Sequence, residues 1–419
     1  MRWRPFLSTL LALSLGAPHS VWGYGVYSHS ELIDIVWGGS IRPLLIQRYP
    51  GITEAELIRA QSYAYGGCRI QDVGYYPLGK EFFSDLTHYV RSGDFVAALL
   101  RDASNADELA FAIGALSHYL GDIYSHSEAV NLSVGQVFPK LGTRYGPVIT
   151  FEQAQIPHGR VELGFDMAQI GLHRFAPVYR SNICLNVADD LLDRAFYETY
   201  GLTLRREIGH RQKAINSYRF GVCRLLPKFM QVQTVINRRR FPQEKDDDAR
   251  REYLENLKQA KYVSIPRTRY EKPGFGTHVL ALVVRIVPKV GKLKIFSLKA
   301  PSPETNSLYF HSMNTAVRRM RELTGELREN PSADIVLANV DLDTGKRTQP
   351  GAYSLTDNTY ARLLNEITRR PGIKIPPGLR DDILLFYSDP NAPIRTKNDP
   401  RAWARVLNGL NQLKLSVDP

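Results

Sequence analysis

The stretch HYLGDIYSH, residues 118–126, sets His118, Asp122 and His126 at intervals of four. On a helix, residues four apart point the same way, about 6 Å apart along the axis. Imidazole and carboxylate are both metal ligands, so the stretch reads as one wall of a metal site. The same spacing recurs at His158 and Glu162 in PHGRVELGFD. FFSDLTHYV adds His88 with Asp85 three residues before it, CRIQDVG adds Asp72 in a glycine-rich segment, and YGVYSH adds His29. Each feature alone is weak, because a lone helical histidine is more often a hydrogen-bonded core residue and an isolated pair a surface ion pair. Their concentration carries the weight: His173 has no acidic partner at ligand spacing, and His210, His278 and His311 are the only histidines beyond it.

Geometry limits how these residues share ions. On an ideal helix His118 and His126 lie about 12 Å apart along the axis, whereas a metal–nitrogen bond is about 2.0–2.1 Å. They cannot readily hold one ion between them. Asp122 lies midway and has two oxygens, so it can bridge two ions. Nitrogen and oxygen ligands without thiolate suit zinc in catalytic use. Two or more adjacent ions are the arrangement that clamps the oxygens of a phosphoryl displacement.

The elements that must position these residues are helical. ADELAFAIGALSHYLGDIYSHSEAV is apolar nearly all round up to His118, as in a buried bundle helix. A helix is expected from about Ser30, closed by Gly38 and Gly39. Another carries Val187, Leu191, Leu192, Ala195 and Phe196 on one stripe and stops at Gly201. YGGCRIQDVGYYPLG reads as a polar, glycine-rich loop. The highly charged run at 238–252 places a soft boundary there, giving a helical domain over 24–237 and a basic, mainly helical region over 238–419. In the latter, HVLALVVRIVPKVGKLKIFSLKAP (278–301) reads as a buried helix with a basic exit loop, with a membrane-surface element as the alternative. Ser302 and Pro303 open a helix whose Phe310, Met313, Val317, Met320 and Leu323 face a core. Its His311 reads as structural.

Residues 1–23 have the form of a secretory signal peptide: Arg2 and Arg4, then the apolar FLSTLLALSLGA, then small residues at Val21 and Gly23. The run is too short to span a membrane, so a secreted or periplasmic protein starting at Tyr24 is expected. The cut removes two arginines and no acid, taking the formal charge from +12 to +10, which suits anionic partners. Cys68, Cys184 and Cys223 are too few for a disulfide framework and allow one bridge with a spare thiol.

The order His29, Asp72, His88, His118-x-x-x-Asp122, His126 and His158-x-x-x-Glu162 resembles the zinc-dependent phospholipase C family and the related S1/P1 nucleases. The resemblance covers roughly residues 24–230. It implies an all-α, multi-helix bundle of the phospholipase C/P1 nuclease type with a mainly helical C-terminal extension, secretion, and three Zn2+ ions that cleave phosphate esters. It also implies the ligand sets. Asp72, His88, His118 and Asp122 would hold one ion. His126, His158 and Glu162 would hold a second, more open one. Tyr24, as the free N-terminus, would hold the third with His29 and the bridging Asp122. Asp72 is the family's candidate general base. YGVYSH keeps the spacing of the nucleases' W-G-x-x-x-H start, with Tyr24 in place of Trp. The spacer from Asp122 to His126 is shorter than in the family, which leaves Glu128 as an alternative to His126, and the gap from His126 to His158 is long.

Three functions follow. The first is a phospholipase C-type phosphodiesterase that releases phospholipid headgroups, with peripheral contact to an anionic membrane surface. The second is a single-strand nuclease, for which Tyr75, Tyr76 and Tyr124 are candidate base-stacking residues on nucleic acid. The third is a non-enzymatic secreted binding protein stabilised by its metal cluster.

Overall fold

The computed structural model describes residues 25–76, 78–172, 185–208, 211–238, 241, 244–260, 273–287, 289, 291–331, 334–370 and 374–415. Residues 1–24, including the expected signal peptide and Tyr24, together with His173, Cys184 and His210, lie outside the described residues. The described chain is all-α apart from one two-stranded ribbon, Val340–Asp341 against Lys346–Arg347.

The centre is the helix Ala106–Ser125. Asn105 caps it by accepting from Glu108 N at 3.0 Å, and Phe111, Ile113, Leu116, His118 and Asp122 are fully buried. The helix Glu54–Gly67 crosses it closely, opened by a capping box between Thr53 and Glu56. Glycines permit the approach. A Cβ on Gly114 would lie 2.2 Å from Ala64 O, and one on Gly67 would lie 1.9 Å from Phe111 O. The helix Pro303–Glu329, capped by Ser302, packs on the central helix and buries Phe310, Met313, Val317, Met320 and Leu323.

Three sequence expectations change. The first helix runs Val26–Val36 and does not stop at Gly38 and Gly39. It passes through a π-helical turn, Trp37–Ile41, into Arg42–Arg48. The segment read as a polar loop instead extends the helix to Gly67 and then forms a fully buried 3-10 turn, Ile70–Tyr75. The apolar run expected to be a buried helix has only Ala281 buried in Phe275–Ile286, while Phe275, Leu282 and Ile286 are 85%, 59% and 73% exposed. Gly201 ends Asp189–Tyr200 in the left-handed conformation, as its position implied. Cys223 is disulfide-bonded, and Cys68 is a buried free thiol.

Candidate metal centre

The structure gathers the described candidate ligands, apart from the alternative Glu128, into three adjoining groups. His29, His118 and Asp122 form one, Asp72, His88 and His118 another, and His126, His158 and Glu162 the third. Within each group the donor atoms lie within 4.8 Å of one another. All are buried.

His88 and His118 each face both Asp72 and Asp122. His88 Nε2 lies 3.4 Å from His118 Nε2 and 3.5 Å from both Asp72 Oδ1 and Asp122 Oδ2. His118 Nε2 lies 3.1 Å from Asp122 Oδ2 and 3.9 Å from Asp72 Oδ1. Two ligands on a tetrahedral zinc, with bonds of about 2.05 Å, stand about 3.4 Å apart. These five edges scatter around that value, and the three-donor set Asp72, His88 and His118 fits zinc.

The ring tautomers agree. His88 Nδ1 lies 2.7 Å from Ser84 O, and His118 Nδ1 lies 3.1 Å from Cys68 O. A carbonyl only accepts, so each Nδ1 carries the proton and donates it. Each Nε2 then turns a lone pair into the site, and a second-sphere carbonyl fixes the orientation of each ring. Two lone pairs facing each other need a cation between them. The carboxylates also favour positive charge here: burial favours neutral His88, yet Asp122 and Asp72 overrule it and raise its pKa to about 10, so without a metal ion a proton takes the place between these donors. Burial likewise opposes the charged form of Asp122, but His118, His29 and His88 hold its pKa well below the usual range.

Asp122 faces two ways, with Oδ1 3.2 Å from His29 Nε2 and Oδ2 toward His88 and His118. That is the placement of a bridging carboxylate. His29 stacks on His118 with ring centroids 4.4 Å apart. The first helix that carries His29 is held from a distance. Asp166 accepts from Tyr27 N and Ser28 N, both at 3.0 Å, and from Ser28 Oγ at 2.7 Å. Its carboxylate sits so close to Gly25 that a Cβ there would be 2.2 Å away. From below, the Tyr309 hydroxyl lies 2.9 Å from Ser28 Oγ and 3.1 Å from Glu31 Oε2, and the Tyr253 hydroxyl donates to Glu31.

The third group is built differently. The central helix turns π-helical over His126–Val130, a local widening common at functional sites. His126 Nδ1–H donates to Leu342 O at 2.7 Å, which leaves Nε2 3.7 Å from Glu162 Oε1. His158 Nε2–H donates to Asn131 Oδ1 at 2.8 Å, and its Nδ1 faces Glu162 Oε1 at 2.7 Å. Burial and the charge of His126 hold the pKa of His158 well below its ordinary value, keeping the neutral ring that ligates. Burial raises the Glu162 pKa, and Asp122 and Asp72 add to the effect. Three protein donors leave a tetrahedral ion one open position, as in catalytic zinc sites.

The structure brings His126 into this group and leaves Glu128 out. Glu128 is half-buried and lies 3.6 Å from His311, whose side chain is 62% exposed. Asp85 turns to the Tyr75 hydroxyl at 3.2 Å. Tyr75 is itself buried, which removes it from the candidate stacking residues. Sequence reasoning missed Asn131, Asp166 and the segment Leu342–Asp343. Asp166 lies four residues after Glu162, the same spacing as His158 and Glu162, and that repeat was a usable signal. No local pattern marks the others.

No curated protein and no solved structure matches the chain. Residues 40–209, which contain Asp72, His88, His118, Asp122, His126, His158 and Glu162, match the family model for zinc dependent phospholipase C, and over that stretch this is the family the chain resembles.

Proposed function

We propose that the protein is a secreted, zinc-dependent phosphodiesterase of the phospholipase C type, which hydrolyses phospholipid to diacylglycerol and a phosphorylated headgroup. The zinc-compatible spacing among Asp72, His88, His118 and Asp122, beside the separate three-donor group of His126, His158 and Glu162, carries the reading. Zinc bound there would supply Lewis acidity, polarising phosphoryl oxygens and lowering the pKa of water. The protein's own part is orientation and proton handling. Backbone carbonyls hold His88, His118 and His126 in the ligating tautomer. Asp72 is 4% exposed, whereas the other described ligands are at 0%. It is the least deeply buried of these carboxylates, and as the candidate general base it would accept a proton from the attacking water. The water oxygen bonds to phosphorus, the ester bond to the glycerol oxygen breaks, and the proton leaves on the diacylglycerol hydroxyl.

The exposed Phe275, Leu282 and Ile286, with Arg285 and Lys289 nearby, support docking on an anionic bilayer. Among the described residues no helix is long and apolar enough to cross a membrane. The test is release of phosphorylated headgroup from defined lipids by zinc-loaded protein. Release supports the reading. No release from any lipid refutes it, and 5′-nucleotides from single strands in its place would establish a nuclease. Phe275→Ser with Ile286→Ser should lower sedimentation with anionic vesicles severalfold while leaving cleavage of a short-chain soluble lipid unchanged.

A further inference from the structure

The turn between the two strands of the ribbon reaches the metal centre from the C-terminal region. Leu342 N–H donates to His88 O at 3.1 Å, while Leu342 O accepts from His126 Nδ1 at 2.7 Å. The next carbonyl, Asp343 O, accepts from Asn131 Nδ2 at 2.8 Å, and Asn131 Oδ1 in turn accepts from His158 Nε2. Two of the three donors of the open group, His126 and His158, are therefore oriented through consecutive carbonyls of this turn.

The turn is built to stay there. Asp341 Oδ1 accepts from Asp343 N at 3.0 Å and Thr344 N at 3.2 Å, and its Oδ2 accepts from Thr356 Oγ1 at 3.1 Å. Gly345 closes the turn at φ 68°, and a Cβ there would lie 2.9 Å from Ile123 O, so the turn sits against the end of the central helix. Asn339 and Ser92 tie the ribbon to the start of Ser92–Asp102. The Asp343 carboxylate is fully buried. Its Oδ2 lies 2.9 Å from the Tyr89 hydroxyl and 2.6 Å from that of Tyr353. Its Oδ1 is buried without a hydrogen-bond partner, and His126 and His88 are the imidazoles whose charge acts on it. Asp343 belongs to none of the three donor groups.

We propose that the Asp341–Gly345 turn is a second-sphere clamp of the metal centre: it positions His126 directly and His158 through Asn131, and so sets the affinity of the open ion. This rests on the reading of the site as a zinc centre. It makes residues beyond the family match part of the working site.

The test is zinc titration of the full chain against a competing chelator, counting ions and their separate affinities, with no activity assay. Asp341→Ala should weaken one of about three ions by about 10–100-fold and leave the other two unchanged. Asp341→Asn keeps the accepting Oδ1 and should restore the affinity. Asn131→Ala removes the relay to His158 without touching the turn and should weaken the same single ion, which keeps the idea testable if Asp341→Ala does not fold. Unchanged affinities in both Asp341→Ala and Asn131→Ala would overturn the clamp alone. Equal weakening of all three ions would also overturn it, because the turn would then act on the scaffold as a whole. Wild-type protein that binds no zinc would sink the metal reading and the clamp together.

Discussion

Asp122→Asn is the sharpest perturbation of the centre, because one side chain faces two donor groups. Asparagine keeps the shape but removes a charge and replaces one oxygen by a hydrogen-bond donor. Whichever way the amide turns, its NH2 meets His29 Nε2 at the 3.2 Å position or the His118 and His88 Nε2 pair at 3.1 and 3.5 Å. A unit charge about 4 Å from another is worth about 4 kcal/mol at an effective dielectric near 20. That is about three powers of ten in the binding constant of each ion the carboxylate faces. The His126–His158–Glu162 group does not use Asp122 as a donor. If each of the three groups holds an ion, protein equilibrated with micromolar zinc should therefore fall from about three bound ions to about one, by mass spectrometric metal analysis, and the proposed lipid hydrolysis should be lost with them. If Asp122→Asn still binds the wild-type number of ions at wild-type affinity, Asp122 is not a bridge. If it binds none, the third group does not stand apart.

Three further outcomes follow from the supports of the site. Gly25→Ala sets a Cβ against the Asp166 carboxylate, so it should cost about 1–3 kcal/mol, read as a lower melting temperature and a weakened His29-dependent ion; an unchanged melting curve would refute the close fit. Burial pushes Asp34 up to about 8, although the Tyr65 hydrogen bond and the Arg69 charge pull it partway back. The folded state then holds a proton that the unfolded state releases at its ordinary pKa of 3.8, so stability should fall as pH rises from about 4 to about 8, by at most about 1.4 kcal/mol per pH unit for this one group. Asp34→Asn keeps an acceptor for Tyr65 and should flatten that slope in urea midpoints, leaving the contribution of Glu31, which burial also raises to about 8; parallel wild-type and variant profiles would refute it. Asp166 is raised to about 6 by burial, with the backbone N–H of Tyr27 and Ser28 opposing. Asp166→Ala should unfasten the first helix and lower zinc content by about one ion at pH 7.

The part of the site that was legible is the part held within single helices. His118 with Asp122 and His158 with Glu162 lie one turn apart on Ala106–Ser125 and Gln155–Leu172, so their convergence follows from helix geometry alone. The separation of His126 from His118 followed in the same way. The bundle itself was equally readable, since a nearly all-apolar helix has to be covered on all sides. Pairing Asp72 with His88 needed the family pattern, because a 3-10 turn and a helix are brought together by tertiary packing. His126 looked doubtful for a physical reason. Its spacer from Asp122 is shorter than in the family, and the chain turns π-helical at that residue, a local change of geometry that no spacing reveals.

The apolar run after His278 shows where periodicity stops being informative. It reports that an amphipathic helix exists and says nothing about whether its apolar side meets protein or water. Phe275, Leu282 and Ile286 are left outside because Phe275–Ile286 packs on Leu226–Asn237 with its other side. Asp343 marks a harder limit. DLDTG, residues 341–345, forms a turn of ordinary composition between the two short strands. What matters is where the turn is carried. Tyr89, the residue after a ligand, and Tyr353 hold one Asp343 oxygen, while its backbone carbonyl and that of Leu342 orient Asn131 and His126. The first helix is held in the same way, by Tyr253 and Tyr309 from beyond the charged run at 238–252. A ligand shell is thus chosen by local spacing, whereas the tautomer and aim of each ligand are set by carbonyls and hydroxyls that only the folded chain brings near. Substitutions at those distant positions should therefore read out as changed zinc affinity as well as changed stability.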